Sequence, residues 1–306
     1  MALDPLSDVL SLLRPRGYVS AGLNAGGDWA LRFPGHEGIK FNAVTRGACW
    51  LFVDGDEAPV RIEEGDGFLL TKGRPFTLAT DLSLPPIDAR GIYAEAKDGI
   101  ATWKGGGDVF LIGSRFVFAD RHADLLFGTL PPVVHVRETS DNASVLRWAI
   151  HQITAELRRQ QPGGQLVAEH LAHIMLVQVL RLHLTSHAQT SPGWLSALTD
   201  RQLSVAVSAM HAEPASRWTV EELARRAGMS RSTFALKFKQ VVGTSPLDYL
   251  TRWRMLVAGD RLRNSDETIA VIATSLGYDS ESAFSTAFKR VMACSPRQYQ
   301  RAPHPG

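Results

Sequence analysis

Two stretches near the C-terminal end of the chain carry side chains of the size and polarity needed to reach the edge of a base pair. The first offers Arg231, Ser232, Ala235, Leu236 and Lys239. The second offers Ser280, Glu281, Ser282, Ser285, Thr286 and Lys289. At helical spacing each set falls largely on one face, away from the aromatic pairs Phe234/Phe238 and Phe284/Phe288. Short hydroxyls and lone carboxylates pack poorly on a helix surface but suit hydrogen bonding in the major groove. Glu281 matches a cytosine amino group, and Ala235 and Leu236 match thymine methyls. The cations Arg231, Lys237, Lys239, Arg252, Arg254, Lys289, Arg290 and Arg297 stand on or near the same helices, as phosphate contacts require.

Each set is preceded by the elements that would aim it. Thr219 is an expected N-cap, with Glu221 and Glu222 in the first turn where the helix dipole favours negative charge. Val220, Leu223, Ala224 and Ala227 form an apolar stripe, Gly228 ends the helix, and Ser230 caps the next one. Ile269, Ile272, Ala273, Leu276 and Gly277 repeat this pattern, with Asp279 or Ser280 as the second cap. Ser245-Pro246 and Tyr249 recur as Ser295-Pro296 and Tyr299. The offset is 49 residues up to the turn and 50 after it, so the second turn holds one extra residue. A lone helix–glycine–helix corner is common, but its repetition in register points to two helix-turn-helix units.

The segments AGMSRSTFALKFKQVVGTSPLDYLTRWRM and IAVIATSLGYDSESAFSTAFKRVMACSPRQYQR resemble the DNA-binding domain of the AraC/XylS transcription regulators, and the likeness runs from Trp218 to Arg301. It implies seven helices in two helix-turn-helix units, bridged by a long helix over roughly Pro246 to Arg263. The chain departs from the family where Ala293 and Cys294 replace a usual glycine and where Leu236 and Thr286 replace a frequent arginine.

A chain of 306 residues, 44% of them hydrophobic, is long enough for two cores. The net charge of +2 is uneven. From Pro214 onward fourteen Lys and Arg face eight Asp and Glu, and the preceding residues carry a net −4, as expected if only the tail meets phosphate. No run is apolar enough to span a bilayer and no secretion signal opens the chain, so a cytoplasmic, nucleoid-associated location is expected. Cys49 and Cys294 lie in different expected domains and form no disulfide framework. Cys49 reads as a buried strand residue rather than a redox sensor.

Residues Lys40 to Leu78 read as short strands separated by Arg46-Gly47, Asp54-Gly55 and Gly65-Asp66-Gly67. Gly91 to Ala94 and Asp108 to Phe118 continue that pattern. Such spacing indicates a small barrel or jelly roll, and GDGFLLTKGRPF resembles the second motif of the cupin fold. Cupin metal ligands are not matched, since Phe76 stands where a histidine would fall and His36-Glu37 completes no set, so no metal or other cofactor is expected. Asn42, Trp50, Arg74 and Phe76 are the expected effector-contacting residues, with Phe52 and Phe68 as further lining candidates. The helical patterns over 143–159 and 165–184 follow. The second is apolar enough to suggest a self-association face, which the family resemblance makes a homodimer contact. His170 with His173, and His183 with His187, have ligand spacing but read as interface histidines.

The expected fold class is thus α+β in two domains: an N-terminal cupin-like β-barrel (jelly roll) plus helices, and a C-terminal all-α domain with two helix-turn-helix units. The expected boundaries are 1–187 for the effector and dimerisation domain, with the barrel ending near 136, then 188–203 for the linker and 204–306 for the DNA-binding domain. The function implied is a sequence-specific transcription regulator responding to a small effector, with activation or repression left open, rather than an enzyme. Its expected partners are double-stranded DNA, a small effector, a second copy and RNA polymerase. Two alternatives stay open: a metal-dependent cupin enzyme tethered to DNA, which elemental analysis would expose, and a constitutive binder with a non-functional barrel.

Overall fold

The computed structural model describes residues 4–13, 16–118, 128, 130–138, 143–159, 161–186 and 193–302. They fall into two units. A β-rich unit spans 15–117 and 130–186, and a helical unit combines the first helix with the chain from 187 onward.

Two sheets enclose the core of the β unit. Strands β1 (Arg16–Ala25), β3 (Ile39–Arg46), β6 (Gly67–Leu70), β9 (Ile100–Trp103), β10 (Val109–Val117) and β11 (Val133–Val136) align in the order β11-β6-β3-β10-β1-β9. Strands β2 (Ala30–Phe33), β4 (Cys49–Val53), β5 (Val60–Ile62), β7 (Phe76–Ala79) and β8 (Ile87–Asp88) align as β5-β4-β7-β2-β8. Pairing is antiparallel except for β1 with β9 and β2 with β8. Leu31, Phe33, Val44, Leu51, Phe68, Phe76, Leu78 and Leu111 meet between the sheets. Alternation decides which side chains join them. On β4, Cys49, Leu51 and Val53 point inward while Trp50 and Phe52 point out. Cys49 is fully buried, and burial pushes its thiol up to about 12.

One expected strand is corrected. Gly91 to Ala94 lie in helix α2 (Ala89–Ala94), because the Asp88 carboxylate accepts the Arg90 backbone N–H at 2.9 Å and caps a helical turn. Helices α3 (Ser144–Arg159) and α4 (Gly164–Ser186) follow the strands as an antiparallel hairpin. They bury Leu146, Ala149, Ile153, Leu171, Met175 and Val179, and leave Val145, Trp148, Leu166, Val167 and Ile174 exposed. The Nδ1 of His173 sits 2.8 Å from the Glu169 carbonyl and the ring packs edge-on to Phe116, while His183 is buried and His187 lies outside the described residues.

The helical unit contains α1 (Pro5–Leu13), α5 (Trp194–Thr199), α6 (Leu203–Ala212), α7 (Val220–Arg226), α8 (Arg231–Val242), α9 (Pro246–Asn264), α10 (Ile269–Ser275), α11 (Glu281–Met292) and α12 (Pro296–Arg301). Helix α5 falls inside the expected linker because Trp194, Leu195 and Ala197 are buried in this unit. Helix α1, the first element of the expected effector domain, packs here too, against α6 and α9, burying Leu6, Val9 and Leu13.

Candidate nucleic-acid interface

The two corners are built alike at the level of atoms. Thr219 caps α7 through a capping box with Glu222, and the Ser230 hydroxyl accepts from the Thr233 N–H to start α8. Thr268 and Ser280 cap α10 and α11 in the same way, so Ser280 rather than Asp279 is the second cap. The chain reverses at Gly228 and Gly277, whose φ values of 65° and 81° are those glycine adopts freely.

Aromatic contacts anchor α8 and α11. Phe234 and Phe238 lie 5.6 Å apart and Phe238 meets Tyr249 edge-on at 5.8 Å. Phe284 and Phe288 are likewise 5.6 Å apart, and Phe288 meets Tyr299 edge-on at 5.4 Å. Helix α9 joins the units by giving Tyr249, Leu250 and Trp253 to one core and Met255, Ala258 and Leu262 to the other. Gly259 lets the chains approach closely, since a Cβ there would lie 3.0 Å from the Tyr299 hydroxyl.

With the aromatics turned inward, the opposite faces are left to solvent in one shared pattern. Residues 231–233, 236, 239 and 240 are exposed on α8, and 281–283, 286, 289 and 290 are exposed on α11. Ala235 and Ser285 are half-buried at matching positions, and Leu236 is 61% exposed. Thr286 donates its hydroxyl to the Ser282 carbonyl at 3.0 Å, which leaves its oxygen able to accept. Thr233 and Gln240 add to the expected set, and their register with Ala283 and Arg290 is the signal that finds them.

The expected cations divide into two classes. Among the described residues, no ion pair or hydrogen bond engages the side chains of Arg231, Lys239, Arg252, Lys289, Arg290 or Arg297. Lys237 is held by Asp200 at 2.6 Å and by Gln202 at 3.2 Å. Half-buried Arg254 donates to the carbonyls of Pro214 and Ser216 at 2.6 and 2.9 Å and lies over the Tyr278 ring. These two hold the helical unit together and are withdrawn from the phosphate-facing set.

Helix α1 adds a buried polar contact to the helical unit. His211 Nε2 lies 2.7 Å from the Tyr249 hydroxyl, and its Nδ1 lies 3.5 Å from an Asp8 carboxylate oxygen. Trp253 stacks on the imidazole with centroids 3.8 Å apart. No local pattern announces a contact between residues so distant along the chain.

The four expected effector residues do not share one site. Asn42 and Phe76 face between the sheets. Trp50 lies on the outer face of β4 beneath Arg61, and Arg74 turns out to the Asp54 carbonyl and Asp56. No three His, Cys, Asp or Glu side chains converge among the described residues, so these side chains do not fit a cupin metal. No described helix is long and apolar enough to cross a membrane.

Residues 4–185 match the family model described as cupin, and residues 223–302 match that of a helix-turn-helix domain. A putative AraC-like transcription regulator of Streptomyces antibioticus is 49% identical over 303 residues, covering 99% of this chain and 100% of that protein. A protein of the same description from Streptomyces lividans is 48% identical, with 98% and 99% covered. The HTH-type transcriptional regulator AlkR of Acinetobacter baylyi is 31% identical over 282 residues, with 90% and 92% covered.

Proposed function

Because this chain belongs to the AraC-like transcription regulators, cupin-type β units joined to a helix-turn-helix DNA-binding domain, we propose that it reads a specific operator with α8 and α11 and answers to a small effector. The observation that carries this reading is the identical sequence of exposed and buried positions along 231–240 and 281–290. Packing alone does not require two surfaces to match where they meet only water. A long, straight ligand with a repeating surface does.

Helix α9 has 19 residues, so it is about 28 Å long. That length is close to the roughly 34 Å that separates successive major grooves on one face of B-form DNA. Ser232, Ala235 and Leu236 give the first unit a largely apolar reading face. Glu281, Ser282, Ser285 and Thr286 give the second a polar one. Arg231, Lys239, Lys289 and Arg290 meet the flanking phosphates. The exposed Val145, Trp148 and Ile174 on α3 and α4 favour pairing of two copies through those helices, which would place two readers on one operator.

Titration of duplex binding against salt tests the assignment. Glu281→Ala should relax the preference at one base pair with the salt slope unchanged. Lys289→Ala should weaken binding to all sequences alike and lower the slope by about one. Identical behaviour of the two variants would overturn it.

A further inference from the structure

At one end of the β unit, donor groups of Lys40, His36 and Asn42 gather without acceptors among the described residues. Lys40 on β3 stands directly opposite Arg115 on β10 in the antiparallel register. Like charges in that position repel. The side chain of Lys40 reaches over Phe76 and Phe33, with its Nζ 5.0 and 5.2 Å from the ring centroids, and among the described residues no carboxylate pairs with it. Burial and the Arg115 charge hold its ammonium down to about 8.

Two further side chains point to the same missing partner. Both ring nitrogens of His36 are buried and without a hydrogen bond, and the ring meets Phe76 edge-on at 6.3 Å. Burial and the nearby Lys40 keep that ring neutral, with its pKa lowered to about 4, so it presents one N–H donor. Asn42 lies two residues along β3 from Lys40, on the same face and about 7 Å away. It is 8% exposed, and its Nδ2 has no acceptor. Buried donors are normally satisfied, and each orphan costs free energy.

We propose that Lys40, His36 and Asn42 form a binding site for the oxyanion group, carboxylate or phosphate, of a small metabolite. An oxyanion accepts several hydrogen bonds and donates none, which complements a site of donors and separates Lys40 from Arg115 electrostatically. The site rests on the reading that the β unit senses an effector and gives that effector a chemical class.

Thermal unfolding of the full chain in acetate, butyrate and inorganic phosphate tests the site. Sodium chloride at equal ionic strength and butanol serve as controls. At a hundredfold excess over Kd, a bound anion should raise Tm by about 5 °C or more, and butanol should not. Lys40→Met should raise the basal Tm, because it removes a half-buried cation that no carboxylate among the described residues pairs with, and should abolish the anion response. Lys40→Gln gives a second reading if the Met variant fails to fold, and Asn42→Leu should weaken the response several-fold in apparent Kd.

Absence of any anion-specific shift overturns the site, as does a response undiminished in both Lys40 variants. A response lost only in Arg159→Gln would instead place the ligand in the groove of about 730 Å³ lined by Glu64, Arg147, His151 and Arg159. Duplex binding measured on the same preparations separates the two readings. Intact DNA binding without an anion response strikes this site alone, whereas lost sequence preference in the unmodified chain strikes the DNA reader.

Discussion

A Cβ placed on Gly277 would lie 2.2 Å from the carbonyl oxygen of Ala215, whereas one placed on Gly228, the matching position of the first unit, meets nothing within 4 Å. The duplicated corners therefore share a conformation but differ in surroundings. The second corner is wedged against the segment that leads into the first, while the first faces open space.

Gly228→Ala and Gly277→Ala should consequently differ. Both introduce a left-handed alanine, which costs about 1 kcal/mol. At Gly277 the backbone of Ala215 must also move, so a loss of about 3 kcal/mol or more is expected. Urea unfolding measures both, and equal losses would show that the Ala215 contact is easily relieved.

Ala293 ends α11 at a φ of 59°, the position that Gly243 fills after α8 at 83°. Ala293→Gly should stabilise the helical unit by about 0.5 kcal/mol, the relief of left-handed strain exceeding the added freedom of the unfolded chain. Gly243→Ala should do the reverse. A destabilised Ala293→Gly variant would contradict this.

Charge alone does not predict which cations meet phosphate. Arg290→Ala should lower the salt slope of DNA binding by about one and leave stability unchanged. Arg254→Ala should keep the slope and lose about 2 kcal/mol of stability, because it removes two hydrogen bonds to the carbonyls of Pro214 and Ser216. A drop in salt slope for Arg254→Ala would return that residue to the interface.

Acid should weaken the helical unit through His211. Burial lowers its pKa from 6.5 to about 3, so the unfolded chain takes up a proton over that interval while the folded chain does not. Stability should then fall as pH drops below about 6.5, by up to roughly 1.4 kcal/mol per pH unit. In the β unit, His36, lowered to about 4, acts with the same sign above that value. Asp8, raised by burial and by Asp4, opposes it, since its contribution is lost as pH rises through the raised value. Tyr249, pushed upward, stays neutral throughout. His211→Gln should flatten the pH dependence between about 4 and 6.5, and an unchanged slope would exclude His211 as its source.

Short sequence windows carry whatever repeats or caps locally. Thr219, Gly228, Ser230, Gly277 and the four phenylalanines announced both corners, because helix starts, stops and apolar periodicity are properties of short windows. Strands β4, β6 and β7 were legible for the same reason. Helix α2 was missed because its whole signal is one Asp88 cap before six residues.

The sequence by itself determined the two corners, the β-rich front and the inward turn of the phenylalanines. Tertiary structure alone decided which cations remain free, because the acceptors of Lys237 and Arg254 lie 35 to 40 residues away. It also decided that the helix of Asp8 joins the C-terminal unit through His211. The inward aim of Asn42 and the outward aim of Trp50 were settled there as well, since a period of two leaves the buried face open until the second sheet is in place.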